Sequence, residues 1–475
     1  SRPHGFYGVR ATFYRAPSAY HRAEGGPDLC LMALQSALIL ATLASLIDEI
    51  DLSLLAVSFM ELQKLGFAPD QLGLVLMARG LASSLAGVFW GSLADKSDRK
   101  NLIVLSMSMV GICTLATPSL ISMRGLMLTQ ILSGLFASAI APVSQSLVSE
   151  NVQETNRGFS FSILAMCAGL AGSASAFLYG LSTWRFAYRM MGSLTLMLSL
   201  WILISFPADA REKRRRPLTR EILKEMEQVK AICCIPTFLA LLLGGVVGCI
   251  PWNALSFMMM YLQNVGFSAT SAASIMTVMS VGRICGSLLG GILGDRFASL
   301  WPLHGRALVG QMSIVLGAIP LYWALSARAL TGSSYWQMTF ALFSFSLLAV
   351  WCNPGVDRPL LSELVPSDRR GKVIGWWRTV AETCGTIFGG PAVGYISVAM
   401  LGYKPSKDLQ PGNATSLGMA MLLCTMAPWA VCFCCYSAIH FAYPQDHRRM
   451  DETKHLMPDF RLNKEGRPAL KFESG

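Results

Sequence analysis

Charge is what this sequence has least of. Only 14% of its 475 residues are Asp, Glu, Lys or Arg, while 53% are hydrophobic; a soluble chain carries about a quarter charged. Polar stretches long enough to build a core of their own are missing, which excludes a separate extramembrane domain. The period-two alternation of a membrane barrel strand is also missing. There is no glycine-rich phosphate loop, no HExxH helix and no Cys/His cluster at metal-ligand spacing, so no enzyme class, cofactor or metal is expected. Most of the 13 cysteines fall in apolar runs, where they act as small apolar groups rather than as a secreted disulfide framework. Cys432, Cys434 and Cys435 share one such run without a histidine motif beside them.

What is present is a succession of apolar runs, each long enough to cross a bilayer as a helix. Twelve are expected, at 31–60, 70–94, 101–121, 124–148, 159–181, 186–206, 237–263, 269–294, 306–327, 335–362, 372–400 and 414–441. The chain therefore divides into a basic N-terminal tail (1–30), a six-helix half (31–206), a linker (207–236), a second six-helix half (237–441) and a C-terminal tail (442–475). The linker carries "REKRRR" and then Leu218, Ile222, Leu223, Met226 and Val229 at helical spacing, the pattern of a helix lying on a membrane surface. The net charge of +11 gathers on the loops and tails of one side. That bias puts both termini on the cytosolic or organelle-interior side and argues against nucleic acid as a partner. Arg2, Arg10, Arg15 and Arg22, with no acid before Glu24, suit a basic tail or a piece of a targeting segment. Asn413-Ala-Thr415 is a glycosylation sequon in the last outer loop.

The chain repeats itself at long range. "LQKLGF" at 62–67 returns as "LQNVGF" at 262–267, and "GSLADK" at 91–96 returns as "GILGDR" at 291–296. "LVSENVQETNRG" (147–158) returns as "LLSELVPSDRRG" (360–371). Two parallel six-span repeats place a substrate site near the bilayer midplane, between the halves, with alternating access by rocking one half against the other.

"GSLADKSDRK" resembles the signature between the second and third helices of the major facilitator superfamily, with Asp98 where that family has its second glycine. The resemblance implies the major facilitator fold, all-α, twelve transmembrane helices in two six-helix repeats. It also implies a gating motif. Gly91, Asp95, Lys96 and Arg99 carry the first copy, and Gly291, Asp295 and Arg296 the second. Asp95 would lie against the start of the eleventh helix near Gly371, where a helix N-terminus favours a carboxylate by about 0.3–1 kcal/mol. Asp295 would lie against the start of the fifth, near Gly158. Glu150 with Arg157, and Glu363 with Arg370, would be the accompanying ion pairs of the inner gate.

Three acids stand inside the first run, Asp48, Glu49 and Asp51 of "ASLIDEIDLSLLA". At about 1.5 Å per residue, Asp48 lies roughly 26 Å, and Arg79 of the second span roughly 22 Å, from the inner side. Ionised groups at such depth face the interior and pair, so an Asp48–Arg79 pair is expected, or one shared with Asp51. The remaining acids form a candidate proton-coupling cluster, against the simpler readings of a structural ion pair or a span end exposed to water. "LIDEIDLSLLA" and "IAP" (140–142) resemble the Spinster branch of the superfamily, with Glu49, Gln130 and Ala137 departing from its pattern. That branch implies lipid-like solutes such as lysolipids and sphingoid phosphates, and in some members protons. "IPWNALSF", "GYKP" and "YPQD" in the second half look like a poorly characterised eukaryotic group near it.

The first, fourth, seventh and tenth helices line the pathway in that fold. Trp252 and Asn253 in the seventh are candidates to stack on and hydrogen-bond a substrate, and Asn353 in the tenth is a weaker one. Arg283 in the eighth could bind an anionic head group. Arg378 and Glu382, four apart in the eleventh, could contact substrate or simply pair. The expected function is a secondary active transporter of a small organic or amphipathic solute, proton-coupled through helix one. Its partners would be that small-molecule or lipid-like substrate, protons and membrane lipids. The alternative is a transporter-fold subunit that holds other membrane subunits together with little or no transport.

Overall fold

The computed structural model describes residues 27–94, 98–140, 143, 171–205, 235–326, 334–365, 370–406, 409–410 and 412–456. In the first half lie α1 (Pro27–Val57), α2 (Phe59–Lys64), α3 (Pro69–Ala94), α4 (Arg99–Ala116), α5 (Met123–Ala137) and α6 (Trp184–Ser205). In the second lie α7 (Pro236–Ala254), α8 (Met258–Val265), α9 (Ala269–Leu300), α10 (Gly305–Leu325), α11 (Tyr335–Leu348), α12 (Arg358–Leu364), α13 (Arg370–Tyr395) and α14 (Asn413–Leu456). The described residues contain no strand. Helix is found within every one of the twelve expected spans, although 159–170 of the fifth lies outside the described residues. Among the described residues six helices are long and apolar enough to cross a membrane: Trp184–Ser205, Pro236–Val265, Ala269–Leu300, Gly305–Leu325, Tyr335–Leu364 and Asn413–Arg448. The last continues through the expected tail boundary at 442 to Leu456. The tail 1–26 and most of the linker lie outside the described residues.

The repeated hexapeptide has a local cause. In both copies the helix ends on a glycine in the left-handed region, Gly66 at φ 102° and Gly266 at φ 112°. Gly66 N–H donates to the Gln63 carbonyl and Phe67 N–H to Leu62; Gly266 and Phe267 repeat this on Gln263 and Leu262. This is a glycine cap that satisfies the last carbonyls, and only glycine takes the required φ without strain. Asp98 replaces the expected glycine for a similar reason, since it is the N-cap of α4 and its carboxylate accepts from Lys100 N–H at 3.0 Å. Ser122, Ser268 and Ser334 cap α5, α9 and α11 in the same manner.

Outward-facing Leu85, Phe89, Met197, Ile204, Leu288, Ile292, Ile319, Phe340 and Phe441 stay exposed, as a belt in hydrocarbon requires. Inside the second half, small residues set the helix spacing. Gly282, Gly286, Gly290 and Gly294 recur every fourth residue of α9 and lie against α11 and the π-helical turn Asn353–Asp357. A Cβ on Gly290 would sit 2.6 Å from the Trp351 Cα. The backbones can approach this closely because there is no side chain between them.

Candidate functional site

A polar core fills the first half. Arg79, on α3, donates to Asp51 Oδ2 on α1 at 2.8 Å and to Gln130 Oε1 on α5 at 2.8 Å. Asp51 also accepts from Thr114 and Ser133. Arg79 and Asp51 are each 3% exposed. Every lone pair and proton of a buried ion pair must be met in this way for the pair to survive desolvation. The expected Asp48–Arg79 pair is therefore corrected to its alternative: Asp51 takes the arginine. Asp48 and Asp51 share a helix face, and the position one turn nearer Thr114 and Ser133 has the extra donors. Asp48 Oδ1 is buried with no hydrogen-bond partner.

Glu49 points into a different set of charges. The charged groups around it are Arg378 and Glu382 of α13, Arg283 of α9 and Arg79, so charges of both halves surround this acid. Arg378 Nε donates to Glu382 Oε1 at 2.6 Å, with both side chains about half exposed, so the simple pairing is what forms. Arg283 is exposed and, among the described residues, makes no hydrogen bond or ion pair. Arg358, exposed at the start of α12, is acted on by Arg378 and Glu382 as well as Asp357. Asn253 donates to the Cys249 carbonyl and lies 3.5 Å from the Thr386 hydroxyl of α13. Trp252 stacks on Phe345 with ring centroids 5.7 Å apart, which makes it part of the packing of its own half.

The two halves meet at the end opposite the chain termini. Tyr403 donates to Gln63 Oε1 at 2.5 Å, Gln63 Nε2 donates to the Ser406 carbonyl at 3.0 Å, and Asn264 Nδ2 reaches Tyr403 Oη at 3.2 Å. Gln263 Nε2 donates to Tyr179 Oη at 3.3 Å. Each copy of the repeated "LQ" thus bonds a tyrosine of the other half. Phe59 and Phe257 pack at 4.9 Å beside them.

Along α3, Gly73, Gly80 and Gly87 fall on one stripe. A Cβ on Gly73 would lie 2.7 Å from the Gly390 carbonyl oxygen and one on Gly80 would meet Thr386, while one on Gly87 would meet nothing within 4 Å. α13 therefore packs directly on α3 at Gly73 and Gly80.

At the opposite end the second-half motif binds within its own half. Arg306 lies 3.2 Å from Asp295 and 3.4 Å from Glu363, and Tyr443 donates to Glu363. The expected partner region of Asp295, near Gly158, lies outside the described residues. So do Asp95, Lys96, Glu150 and Arg157, together with the side chains of Arg99 and Arg370 and the surroundings of Gly91. Arg296 is exposed. Among the described residues a Cβ on Gly291 would meet nothing within 4 Å, while its neighbours Gly290 and Gly294 make close approaches. In "YPQD", Asp446 caps α7, accepting from Thr237 N–H at 2.9 Å and from its hydroxyl at 2.6 Å. The sequon side chain is already in use. Asn413 is 2% exposed and exchanges two 3.0 Å hydrogen bonds with the Lys404 backbone, so a glycan has no place on it in this fold.

Sequence reasoning missed Arg358, Asp357 with Tyr436, the Gln–Tyr contacts and the glycine ladder of α9. The signals were present: an Asp-Arg dipeptide inside an apolar span, and glycine at every fourth residue.

A model of the Major Facilitator Superfamily matches residues 30–390. The chain is 30% identical over 152 residues to the human (Homo sapiens) voltage-gated purine nucleotide uniporter SLC17A9, covering 30% of this chain and 34% of that one. It is 25% identical over 240 residues to the 3-(3-hydroxy-phenyl)propionate transporter of Escherichia coli (strain K12), covering 48% and 58%. The first curated relatives are spanned over 33% to 58% of their lengths. Among solved structures, a bacterial homologue of the human lysosomal transporter Spinster, inward-facing and occupied, matches with a TM-score of 0.71 at 16% identity. That match covers 87% of this chain and 98% of the other.

Proposed function

The chain belongs to the Major Facilitator Superfamily, and from that premise we propose that it is a secondary active transporter of small organic or amphipathic anions. It is an integral, multi-pass membrane protein. The observation that carries the anion reading is the set of arginines facing the space between the halves. Arg283 is exposed near Glu49 and makes no hydrogen bond or ion pair among the described residues, and Arg358 and Arg378 stand on other helices of the second half. A positive group at that depth favours an anion as its partner. Two relatives carry, by their names, a purine nucleotide and a hydroxyphenylpropionate; both are organic anions, and a lipid-like phosphate shares their chemistry.

The far-end contacts between the halves, Gln63 with Tyr403 and Gln263 with Tyr179, support alternating access by giving that end a bonded gate. The Lys and Arg bias puts the termini in the cytosol or organelle interior. The domain division read from the repeat stands as the working one. The acids that Arg79 leaves over are the groups we assign to proton coupling: Asp48, whose Oδ1 is buried without a hydrogen-bond partner among the described residues, and Glu49, which lies among Arg283, Arg378 and Glu382, since an intramembrane acid is a functional group by default.

Thermal stabilisation of the purified protein tests the reading. The probes are AMP, 3-(3-hydroxyphenyl)propionate, a lysophospholipid and glucose, at acidic and at neutral pH. A true ligand raises the melting temperature with its concentration. An anion that stabilises wild type but not Arg283→Gln supports the anion site, and loss of its pH dependence in Glu49→Gln supports the coupling. Stabilisation by glucose alone would sink the anion reading. Silence across the panel, with other membrane subunits copurifying stoichiometrically, would favour a structural role in an assembly.

A further inference from the structure

The second half holds a buried acid that the helix-one reading does not use. Asp357 ends the π-helical turn Asn353–Asp357 and is 6% exposed. Its Oδ1 accepts from Tyr436 Oη of α14 at 2.8 Å, and among the described residues it makes no ion pair. The turn follows from "NPGVDRP". Pro359 has no N–H for the carbonyl four residues before it, that of Gly355. That carbonyl instead accepts from Arg306 Nη1 at 3.1 Å. π-helical turns of this kind recur at functional positions.

Neighbouring elements fix the acid's surroundings. On α9, Gly290 and Gly294 let Gly355 approach without a side chain between them. On α10, Gly310 makes room for the Tyr436 ring, whose carbons would lie 3.2 Å from a Cβ there. The titratable and charged groups around Asp357 are Cys352 and Arg358 of its own segment, Tyr436 and Cys432 of α14, and Cys249 of α7. Arg306 of α10 lies on the same turn. Only one of these, a hydroxyl, bonds the carboxyl. A buried ionised carboxylate needs more than that. The next residue, Arg358, is exposed and belongs to the charges of the central space.

We propose that Asp357 and Tyr436 form a proton-binding site in the second half, which holds its proton while the carboxyl is buried and returns it to water when the turn opens toward Arg358. The step is the addition of one water-borne proton to a carboxylate oxygen and its later release; no heavy-atom bond changes. The site goes beyond the helix-one reading and does not depend on it.

Infrared titration of the protein in lipid nanodiscs tests it without any substrate. The carbonyl stretch of a protonated carboxylic acid is separate from carboxylate bands and shifts in D2O. Wild type is expected to show such a band, disappearing as pH rises. Asp48→Asn and Glu49→Gln should keep a component that Asp357→Asn loses. Tyr436→Phe should move that component's midpoint by about one pH unit, the equivalent of one hydrogen bond to a charged group. A spectrum unchanged by Asp357→Asn, or no acid band in wild type at any pH, overturns the proposal. Should Asp357→Asn fail to fold, Tyr436→Phe decides: an unmoved midpoint overturns it.

Discussion

Replacing Arg79 with methionine should strand Asp51 in the interior of the first half. The carboxylate would keep Thr114 and Ser133 but lose the cation that pairs with it. Both partners are 3% exposed, so solvent cannot take over, and breaking such a pair costs about 3–5 kcal/mol. That is roughly two to three and a half decades in the folded-to-unfolded ratio at about 1.4 kcal/mol per decade. Removing both charges together should restore most of it, because the desolvation of the pair is then avoided as well. Unfolding of Arg79→Met, of Asp51→Leu and of the double variant in a mixed-micelle denaturant series measures the three terms. Asp48→Asn, which touches no ion pair, should stay within about 1 kcal/mol of wild type. The reasoning is refuted if Asp48→Asn is as damaging as Asp51→Leu, or if the double variant is no more stable than Arg79→Met.

Other outcomes follow from the same geometry. Gln63→Leu combined with Gln263→Leu removes the reciprocal tyrosine bonds, each worth about 0.5–1.5 kcal/mol. Spin-label distances across the far end should then show a larger open population, and an unchanged distribution would deny these contacts a gating role. Gly290→Ala forces a Cβ to 2.6 Å from the Trp351 Cα and should cost about 1–3 kcal/mol. Gly291→Ala, whose Cβ meets none of the described residues within 4 Å, should cost less; thermal unfolding that ranks them the other way contradicts the packing described. Asn413 should carry no glycan when the protein is made in a secretory host. A mobility shift on deglycosylation would show that its bonds to Lys404 are absent in the folded protein.

The architecture was legible because bilayer length and repeated motifs are properties of residue order. The hexapeptide repeat even carried its own cause, a glycine cap at positive φ that other residues take only with strain. Choosing between Asp48 and Asp51 was beyond such reading. The two acids share a face, and the decision fell to Thr114, Ser133 and Gln130, which come from other helices. Asp98 read as a departure from a motif, and only the α4 N-terminus shows why it suits the position. Asp357 and Arg358 fell inside the expected tenth span beside two prolines, and only the π-helical turn shows that Asp357 is buried against Tyr436. Trp252 could not be told from a substrate platform until Phe345 was found against it.

Flux into proteoliposomes tests the central claim most directly. Purified protein would be reconstituted and uptake of labelled 3-(3-hydroxyphenyl)propionate, AMP and a lysophospholipid followed under an imposed pH gradient of either sense. The account predicts saturable uptake of at least one of these anions, faster with the gradient than without. It predicts a fall of roughly tenfold or more in Arg283→Gln, the loss of one charge-assisted contact. Uptake of every anion equal to that of protein-free vesicles, or anion flux indifferent to Arg283, would contradict it.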